Sequence, residues 1–156
     1  MKDALLEKRL TDRQIGVVFD CLTRTDHDVL GGMFGLAAHG GRINTVARDA
    51  TASTERDAIL DIACTTGSLD AQDEARNLAW TRAFHRDLFS ETGGVPVPSE
   101  ALINHPDTDL ADLSSNTSGV LWHTLYYGEG YPRLQPVKTR SDPRNVFRHA
   151  LSVRPA

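Results

Sequence analysis

The strongest constraint on the fold is a periodic stretch from Asp70 to about Thr92. Trp80, Phe84 and Leu88 recur every four residues, which places them on one face of a helix. Asp70 is a suitable N-cap, and a Gly-Gly pair after the stretch is a helix stop signal. The pattern predicts an amphipathic helix whose apolar face must pack against another layer of the protein.

Residues before this helix predict one further helix and three strands. Thr11 can cap a helix over DRQIGVVFDCLTR, with a buried stripe at helical spacing formed by Ile15, Val18, Phe19 and Leu22. The apolar, glycine-rich run 29–38 predicts a strand, and the segment RINTVA at 42–47 predicts a second one after a Gly-Gly turn. The partly β-branched segment 58–65 predicts a third strand.

The last third predicts two shorter helices, one around VLWHTLYY and one around YPRLQPVKTR. Pro132 suits the first turn of the second helix, whereas Pro136 is expected to kink it or end its first part early. The strands and helices do not alternate in a βαβ rhythm. The prediction is therefore a single α+β domain over residues 1–156, with an antiparallel β-sheet backed by helices.

Composition limits the classes of partner. The 156 residues are 40% hydrophobic and carry a formal net charge of −4, which gives no electrostatic reason to expect nucleic acid. No apolar run approaches the roughly 20 residues that cross a bilayer, and the charged start MKDALLEKRL does not resemble a signal peptide. We expect a cytoplasmic protein with no membrane partner.

Local motifs for metals and nucleotides are absent from the sequence. Cys21 and Cys64 stand apart, so two buried free thiols are expected rather than a metal site. None of the histidines forms an HxH or HExxH pattern, and no glycine-rich phosphate loop follows a strand. His85, next to Phe84 on the long helix, is expected to face solvent. His123 lies near two tyrosines, but a half-buried structural histidine is the favoured interpretation from its position alone.

The segment LYYGEGYPRLQPVKTRSDPRNVF at 125–147 is the most distinctive run of the chain. Tyr126 or Tyr127 could act as an acid or base only if the environment lowered a phenol pKa from about 10. Adjacent helical residues point about 100° apart, so only one of the two can face a given pocket. From spacing alone, one tyrosine in the core and one at the surface is favoured.

This closing segment resembles the C-terminal motif W…YYGxNYxRLxxVKxxYDPxNVFRxxQSI of the berberine-bridge-enzyme-like FAD-linked oxidoreductases. The resemblance extends upstream in the same order. HGGRINTVARDATASTERDA at 39–58 is similar to the family's GGAIxRVxPDATAFPHRDA. ARNLAWTRAFHRDL is similar to its ERNxAWVRxFyxxL, and ALINHPDTDLAD to its AYVNYPDxDLxD. Nearly the whole chain is covered.

The resemblance implies the later part of the family's substrate domain together with the tail that returns to the flavin domain. Its chemistry is oxidation of a small molecule by hydride transfer to FAD. The resemblance also implies Tyr126 as a catalytic base, Asn104 and Tyr126 on the substrate side, and the helix from Tyr131 to Lys138 as support of the flavin site. The predicted site residues are Tyr126 and His123 for catalysis, Asn104, Tyr127 and Trp122 for substrate binding, and Gly128, Tyr131 and Arg133 for cofactor binding. No metal is implied.

The sequence also departs from the family pattern. Gly130 stands where the family usually has an asparagine near the flavin, and Ser53, Thr54 and Glu55 replace Phe-Pro-His. The family's FAD-binding domain precedes the matched segments and is expected to be absent from this chain.

Two main hypotheses follow. In the first, the chain works with a separate FAD domain, which predicts an exposed apolar face around Tyr131 and Leu134. In the second, it is a flavin-free stand-alone domain that cyclises or binds a natural-product-like molecule, using Tyr126 and His123, and forms a homodimer. A remnant without activity is a third interpretation.

Overall fold

The computed structural model describes residues 1–25, 31–97 and 101–156. Within these residues the strands and α-helices are β1 (Lys2–Leu6), α1 (Asp12–Thr23), β2 (Met33–Ala38), β3 (Leu60–Thr65), α2 (Ala71–Leu88), α3 (Trp122–Tyr127) and α4 (Tyr131–Ser141). Short 3-10 helices are formed by Gly41–Thr45, Ser90–Thr92, Thr108–Ala111 and Gly128–Gly130.

The three strands form one antiparallel sheet in the order β1-β3-β2. The predicted α+β class and antiparallel sheet are confirmed, as is the strand predicted over 58–65. The strand predicted over 29–38 is confirmed from Met33 onward, whereas residues 29 and 30 lie outside the described residues. β1 was missed, because its charged Lys2 and Asp3 do not look like strand residues although both are buried.

Helices cover one face of this sheet. Trp80, Phe84 and Leu88 of α2 are buried against a β1–β3 layer that includes Ala4 and Ile62. The Trp80 and Phe84 rings meet edge to face, with centroids 5.3 Å apart. The predicted helix and its buried stripe are therefore confirmed, with the helix ending at Leu88 and a 3-10 turn following it.

α1 begins as predicted but buries a different face. The side chain of Thr11 accepts a hydrogen bond from the Gln14 N–H, and the Gln14 side chain bonds back to Thr11, which forms a capping box. The predicted stripe is wrong at three of its four positions, because Phe19 is 65% exposed, and Ile15 and Leu22 are exposed as well; Val18 packs on the core as predicted. The residues of α1 that pack on the core are Val17, Val18 and Cys21.

The strand predicted over 42–47 is also wrong, since Gly41–Thr45 is a 3-10 helix. Polar side chains satisfy carbonyl groups locally: the Thr45 hydroxyl donates to the Arg42 carbonyl oxygen over 2.8 Å. The Asn44 amide donates to the Ala58 carbonyl oxygen over 3.1 Å and fastens the turn to the chain before β3.

A second core holds the C-terminal part together. It consists of Val95, Ala101, Leu110, Trp122, Leu125, Tyr126, Tyr131 and Leu151. Pro132 lies in the first turn of α4 as predicted, but α4 continues through Pro136 to Ser141, so the predicted early end is wrong. The apolar face expected around Tyr131 and Leu134 is wrong too, because Tyr131 is buried and Leu134 half-buried.

Exposed apolar side chains occur at Val137, Val146 and Phe147 and on the edge of the sheet. β1 is buried along its whole length, whereas Met33 and Leu36 on the opposite edge strand β2 are 56% and 58% exposed. β2 carries no charge and no proline, although natural edge strands usually have one or the other. This edge therefore has the character of a surface that another strand covers. None of the helices in the described residues is long and apolar enough to cross a membrane.

Candidate functional site

An aromatic cluster joins α3 to the start of α4. It contains Trp122, His123, Tyr126, Tyr127 and Tyr131. The His123 and Tyr131 rings are stacked, with centroids 4.2 Å apart and planes 16° from parallel. The structure thus brings together most of the residues for which the sequence predicts catalytic, substrate or cofactor roles.

Tyr126 is 1% exposed, and its hydroxyl oxygen accepts a hydrogen bond from the Asp107 N–H over 2.8 Å. Burial raises the pKa of Tyr126 well above its usual range; the Asp107 N–H bond lowers it, whereas the carboxylates of Asp107 and Asp3 raise it further. The phenol therefore keeps its proton at neutral pH and is held in a fixed position. The structure favours Tyr126 as a tie between α3 and the segment around Asp107.

The two neighbours of Tyr126 differ from it. Burial raises the pKa of the half-buried Tyr127. Burial, followed by the positive charge of Arg154, lowers the pKa of His123, so its ring is neutral at pH 7. The buried Nδ1 of His123 has no hydrogen-bond partner among the described residues.

A cavity of about 470 Å³ lies beside this cluster, within the size range of small-molecule pockets. It forms where the chain around Asp49 and Thr54 meets the turn Gly128–Gly130 and the first residues of α4. The lining residues are Arg48, Asp49, Thr54, Val97, Val120, Thr124, Leu125, Gly128, Glu129, Gly130 and Arg133. The cavity thus joins two segments that are far apart in sequence.

Of the three residues predicted to bind the cofactor, two line the cavity and one is buried. Gly128 and Arg133 line the cavity, and the guanidinium of Arg133 donates to the Asp49 carbonyl oxygen over 2.5 Å. Tyr131 is buried beneath it, where its hydroxyl oxygen accepts a hydrogen bond from the Arg154 N–H. A Cβ added at Gly130 would meet no atom within 4 Å, so the space beside this glycine is open. A flat apolar cofactor edge is compatible with this lining.

Asn104 lies apart from the cavity, in an exposed turn before the 3-10 helix Thr108–Ala111. Directly after it, Nδ1 of His105 is 2.5 Å from Oδ2 of Asp3 on β1. The Asp3 side chain is 4% exposed and that of His105 is 40% exposed. The predicted substrate residue Asn104 is therefore adjacent to a half-exposed histidine that a buried carboxylate orients.

Charged side chains fasten this segment to the first core. Nζ of Lys2 lies 2.5 Å from Oδ2 of Asp107 and 2.8 Å from Oδ2 of Asp109. Arg82 of α2 donates two hydrogen bonds to Asp109. Burial alone would raise the pKa of Asp109, but hydrogen bonds from Arg82 and Lys2 lower it to about 2.

His85 was expected to face solvent and is instead 2% exposed, so that expectation is wrong. Its ring packs on Phe89, with centroids 4.9 Å apart, because the helix position after Phe84 points toward β1 and the second core rather than outward. Burial and then the charge of Lys2 lower the pKa of His85 to about 4. Its Nε2 atom has no hydrogen-bond partner among the described residues.

Several site residues were not predicted from the sequence. Arg48, Asp49 and Thr54 lie in a segment that the resemblance covers, but their role in a cavity required the approach of Gly128–Gly130. The one sequence feature that points to the ion pairs of Lys2 is the pair of aspartates in HPDTDL. Nothing in the sequence connects that segment to β1. Among the described residues, no group of three or more His, Cys, Asp or Glu side chains could hold a metal ion.

Comparison with known proteins gives consistent matches. Residues 101–154 match the family model described as berberine and berberine like. The aclacinomycin-N/aclacinomycin-A oxidase of Streptomyces galilaeus is 47% identical over 99% of this chain, which covers 29% of that relative.

Two solved structures superpose on the chain. The crystal structure of aclacinomycin oxidoreductase has a TM-score of 0.94 and 46% identity over 99% of this chain and 32% of its own. The crystal structure of a glycopeptide hexose oxidase complexed with teicoplanin has a TM-score of 0.91 and 50% identity, over 99% of this chain and 32% of its own. The chain thus spans about a third or less of these relatives. From the motif, the matched family model and the superpositions together, we conclude that the chain corresponds to the C-terminal part of the berberine-bridge-enzyme-like FAD-linked oxidoreductases.

Proposed function

We propose that this chain is the substrate-domain part of an FAD-linked oxidoreductase that oxidises a small, natural-product-like molecule. The observation that carries the proposal is the superposition of 99% of the chain on aclacinomycin oxidoreductase, with a TM-score of 0.94 and 46% identity. Identity of this order over the whole chain supports shared chemistry more strongly than the fold alone would.

The proposed partner is the flavin-bearing polypeptide that makes up the rest of the relatives. The uncharged, exposed edge strand β2 supports this, because it offers backbone groups and the apolar side chains of Met33 and Leu36 to another strand. The exposed stripe of Ile15, Phe19 and Leu22 on α1 adds further apolar surface. A second copy of the chain is the competing occupant, and it corresponds to the homodimer of the flavin-free hypothesis.

In the assembled enzyme, FAD would lie against the turn Gly128–Gly130 and accept a hydride from the substrate. Gly128 allows close approach of the backbone because it has no side chain and adopts a φ of 49°. Arg133 supplies a positive charge at the cavity wall, and its bond to the Asp49 carbonyl oxygen fixes its direction. Tyr131 would act through packing, since its hydroxyl is already engaged.

We base the proposed substrate-binding residues on the exposure of their side chains. Asn104 and the half-buried Tyr127 are accessible enough to contact a bound molecule, whereas Trp122 would contribute only the wall behind them. The flavin-free alternative needs Tyr126 to exchange protons with a substrate in this chain alone. The burial of Tyr126 and its raised pKa argue against that use. The cytoplasmic location stays a prediction.

The partner proposal is tested by pull-down with the flavin-binding part of the S. galilaeus relative. We expect the chain to retain that part, together with a yellow flavin absorbance band that survives desalting. The variant Leu36→Lys, which places a charge on the β2 edge, should weaken retention at least ten-fold. Leu113→Lys, at an exposed position away from the sheet, is the matched control. Retention that Leu36→Lys leaves unchanged, or a chain that pulls down only itself, contradicts the proposal.

A further inference from the structure

A second, smaller cavity lies where β1 and α2 meet the segments at 94–95 and 109–115. Its volume is about 120 Å³, and none of the described residues that line it also lines the cavity at Gly128–Gly130. A space of this size is too small for an organic ligand, which takes roughly 300 Å³ or more, but it holds a few water molecules or one small ion. Its polar wall consists of Lys2, Arg82, His85, Arg86, Asp109 and Ser115.

His85 brings an unsatisfied acceptor to this wall. The residue is 2% exposed, and its Nε2 atom has no hydrogen-bond partner among the described residues. Burial and then Lys2 lower the pKa of His85, whereas its hydrogen bond with the Asp3 backbone raises the pKa, so the ring is the donor of that bond. Since Nε2 is unpartnered, the donor is Nδ1, and Nε2 of the neutral ring carries a lone pair. An occupant of the cavity gains most by donating a hydrogen bond to Nε2.

Arg86 brings a positive charge that the protein leaves almost unused. Its Nε atom is 3.5 Å from the Asp87 carboxylate, too far for a good hydrogen bond, and both side chains are more than half exposed. The stem of Arg86 is nevertheless directed along the wall. A Cβ built on Gly94 would lie 3.6 Å from Cγ of Arg86 and 2.8 Å from the Ser115 carbonyl oxygen, so both groups lie against this glycine. The Arg86 guanidinium and the Ser115 hydroxyl are therefore close enough to share one small ligand.

The charges of the wall favour an anion. Lys2, Arg82 and Arg86 are cationic, and Asp109 is the one carboxylate among the described lining residues. Arg82 donates to both oxygens of Asp109, over 2.7 and 2.8 Å, and Lys2 lies 2.8 Å from one of them, so the Asp109 charge is compensated. Arg82 uses two of its five N–H groups in these bonds and retains donors for a ligand. A small oxyanion meets cations and free donors here, with one acceptor at Nε2.

We propose that this cavity binds inorganic hydrogen phosphate. Arg86, Arg82 and Ser115 donate to its unprotonated oxygens, and Nε2 of His85 accepts from its P–O–H group. Sulfate has the same shape but no O–H group at neutral pH, and a phosphate monoester is mostly a dianion without one. Both would leave the His85 lone pair unpaired, so the site distinguishes phosphate from them. The bound ion joins α2 to the segment at 109–115, and this inference is independent of the oxidoreductase function.

Thermal unfolding of the 156-residue chain at pH 7.0 tests the selectivity. The chain is compared in about 20 mM phosphate, sulfate or methyl phosphate, with sodium chloride added to equal ionic strength. Phosphate should raise Tm by about 3 °C or more over sulfate and over methyl phosphate. Sulfate controls for the general stabilisation that both inorganic anions give by exclusion from protein surfaces. Equal Tm values in phosphate and sulfate overturn the inference, because the cavity then holds only water or takes any anion.

A variant and a spectroscopic signal locate the effect. Arg86→Gln, at a side chain that is 65% exposed, should reduce the difference between phosphate and sulfate to less than about 1 °C. Arg140→Gln, at an exposed position on α4, is the matched control and should keep the full difference. Nitrogen-15 NMR of labelled histidine should show the Nε2 signal of His85 moving with phosphate while the exposed His149 is unchanged. A difference that Arg86→Gln leaves intact, or a His85 signal that phosphate does not move, overturns the inference.

Discussion

Protonation of buried His85 should make the stability of this chain depend on pH between neutrality and pH 4.5. The folded-state pKa is about 4, because burial and then Lys2 disfavour the charged ring, whereas an unfolded histidine has a pKa near 6.5. As the pH falls through this window, the unfolded state binds a proton at His85 that the folded state does not. Stability is therefore complete above about pH 6.5 and decreases toward pH 4.

The size of the effect follows from the difference in pKa. Each pH unit in the window costs about 1.4 kcal/mol, so the two units from pH 6.5 to 4.5 lower the free energy of unfolding by about 2–3 kcal/mol. The variant His85→Gln keeps a polar side chain beside the Asp3 backbone but cannot titrate. The difference in unfolding free energy between wild type and variant should therefore shrink by that amount across the window.

Urea unfolding at pH 7.0, 5.5 and 4.5 measures this difference, because other titrating groups cancel between the two proteins. A difference that stays constant within about 0.5 kcal/mol across the three pH values would refute the placement of a neutral His85 between β1 and the second core.

Three further perturbations test the packing and the charge network. Phe84→Ala, at a 2% exposed ring in the first core, should lower the free energy of unfolding by about 3–5 kcal/mol, and a loss under 1.5 kcal/mol would contradict the core assignment. Gly93→Ala should lower it by about 2 kcal/mol or more, because the new Cβ would lie 2.4 Å from the Ser118 nitrogen. Gly119→Ala is the control, since it has a similar φ of 79° and no atom within 4 Å, and it should lose clearly less. Asp109→Asn should lower the free energy of unfolding by about 2 kcal/mol at pH 7, because it removes the carboxylate that Arg82 and Lys2 stabilise. The loss should become smaller between pH 4 and pH 2, where the wild-type carboxylate takes up its proton and its contribution disappears. Equal losses at pH 4 and pH 2 would contradict the ion-pair account.

Much of the fold could be predicted from local patterns. The four-residue spacing of Trp80, Phe84 and Leu88 identified α2 because the same side chains that define the period also fill the core. Thr11 identified the start of α1, since a capping box lies within four residues of sequence. In these two helices the physical cause was local, and both predictions were confirmed.

The errors arose where distant partners decide the structure. β1 was invisible because Lys2 and Asp3 are stabilised by Asp107, Asp109 and His105, which are about a hundred residues away in the sequence. The exposed stripe of α1 follows a helical period that normally indicates burial, but none of the described residues covers it. Periodicity identifies an apolar face and does not say which partner covers it.

The candidate site was also predicted only in part from the sequence. The resemblance of the closing segment directed attention to α3 and the turn Gly128–Gly130, and the structure places that turn in a cavity. The sequence could not reveal that Tyr126 would be buried beneath Asp107, nor that His105 would meet Asp3. Both contacts depend on how the segment at 101–109 packs between the two cores.

Turnover by a chimera, in which this chain replaces the matching segment of the S. galilaeus relative, tests the central claim most directly. If this chain is a competent substrate domain, the purified chimera should be yellow after desalting and should oxidise that relative's own substrate under steady-state conditions. The result that would contradict the account is a folded chimera that retains FAD and shows no oxidation, because every part except this chain would then come from an active enzyme.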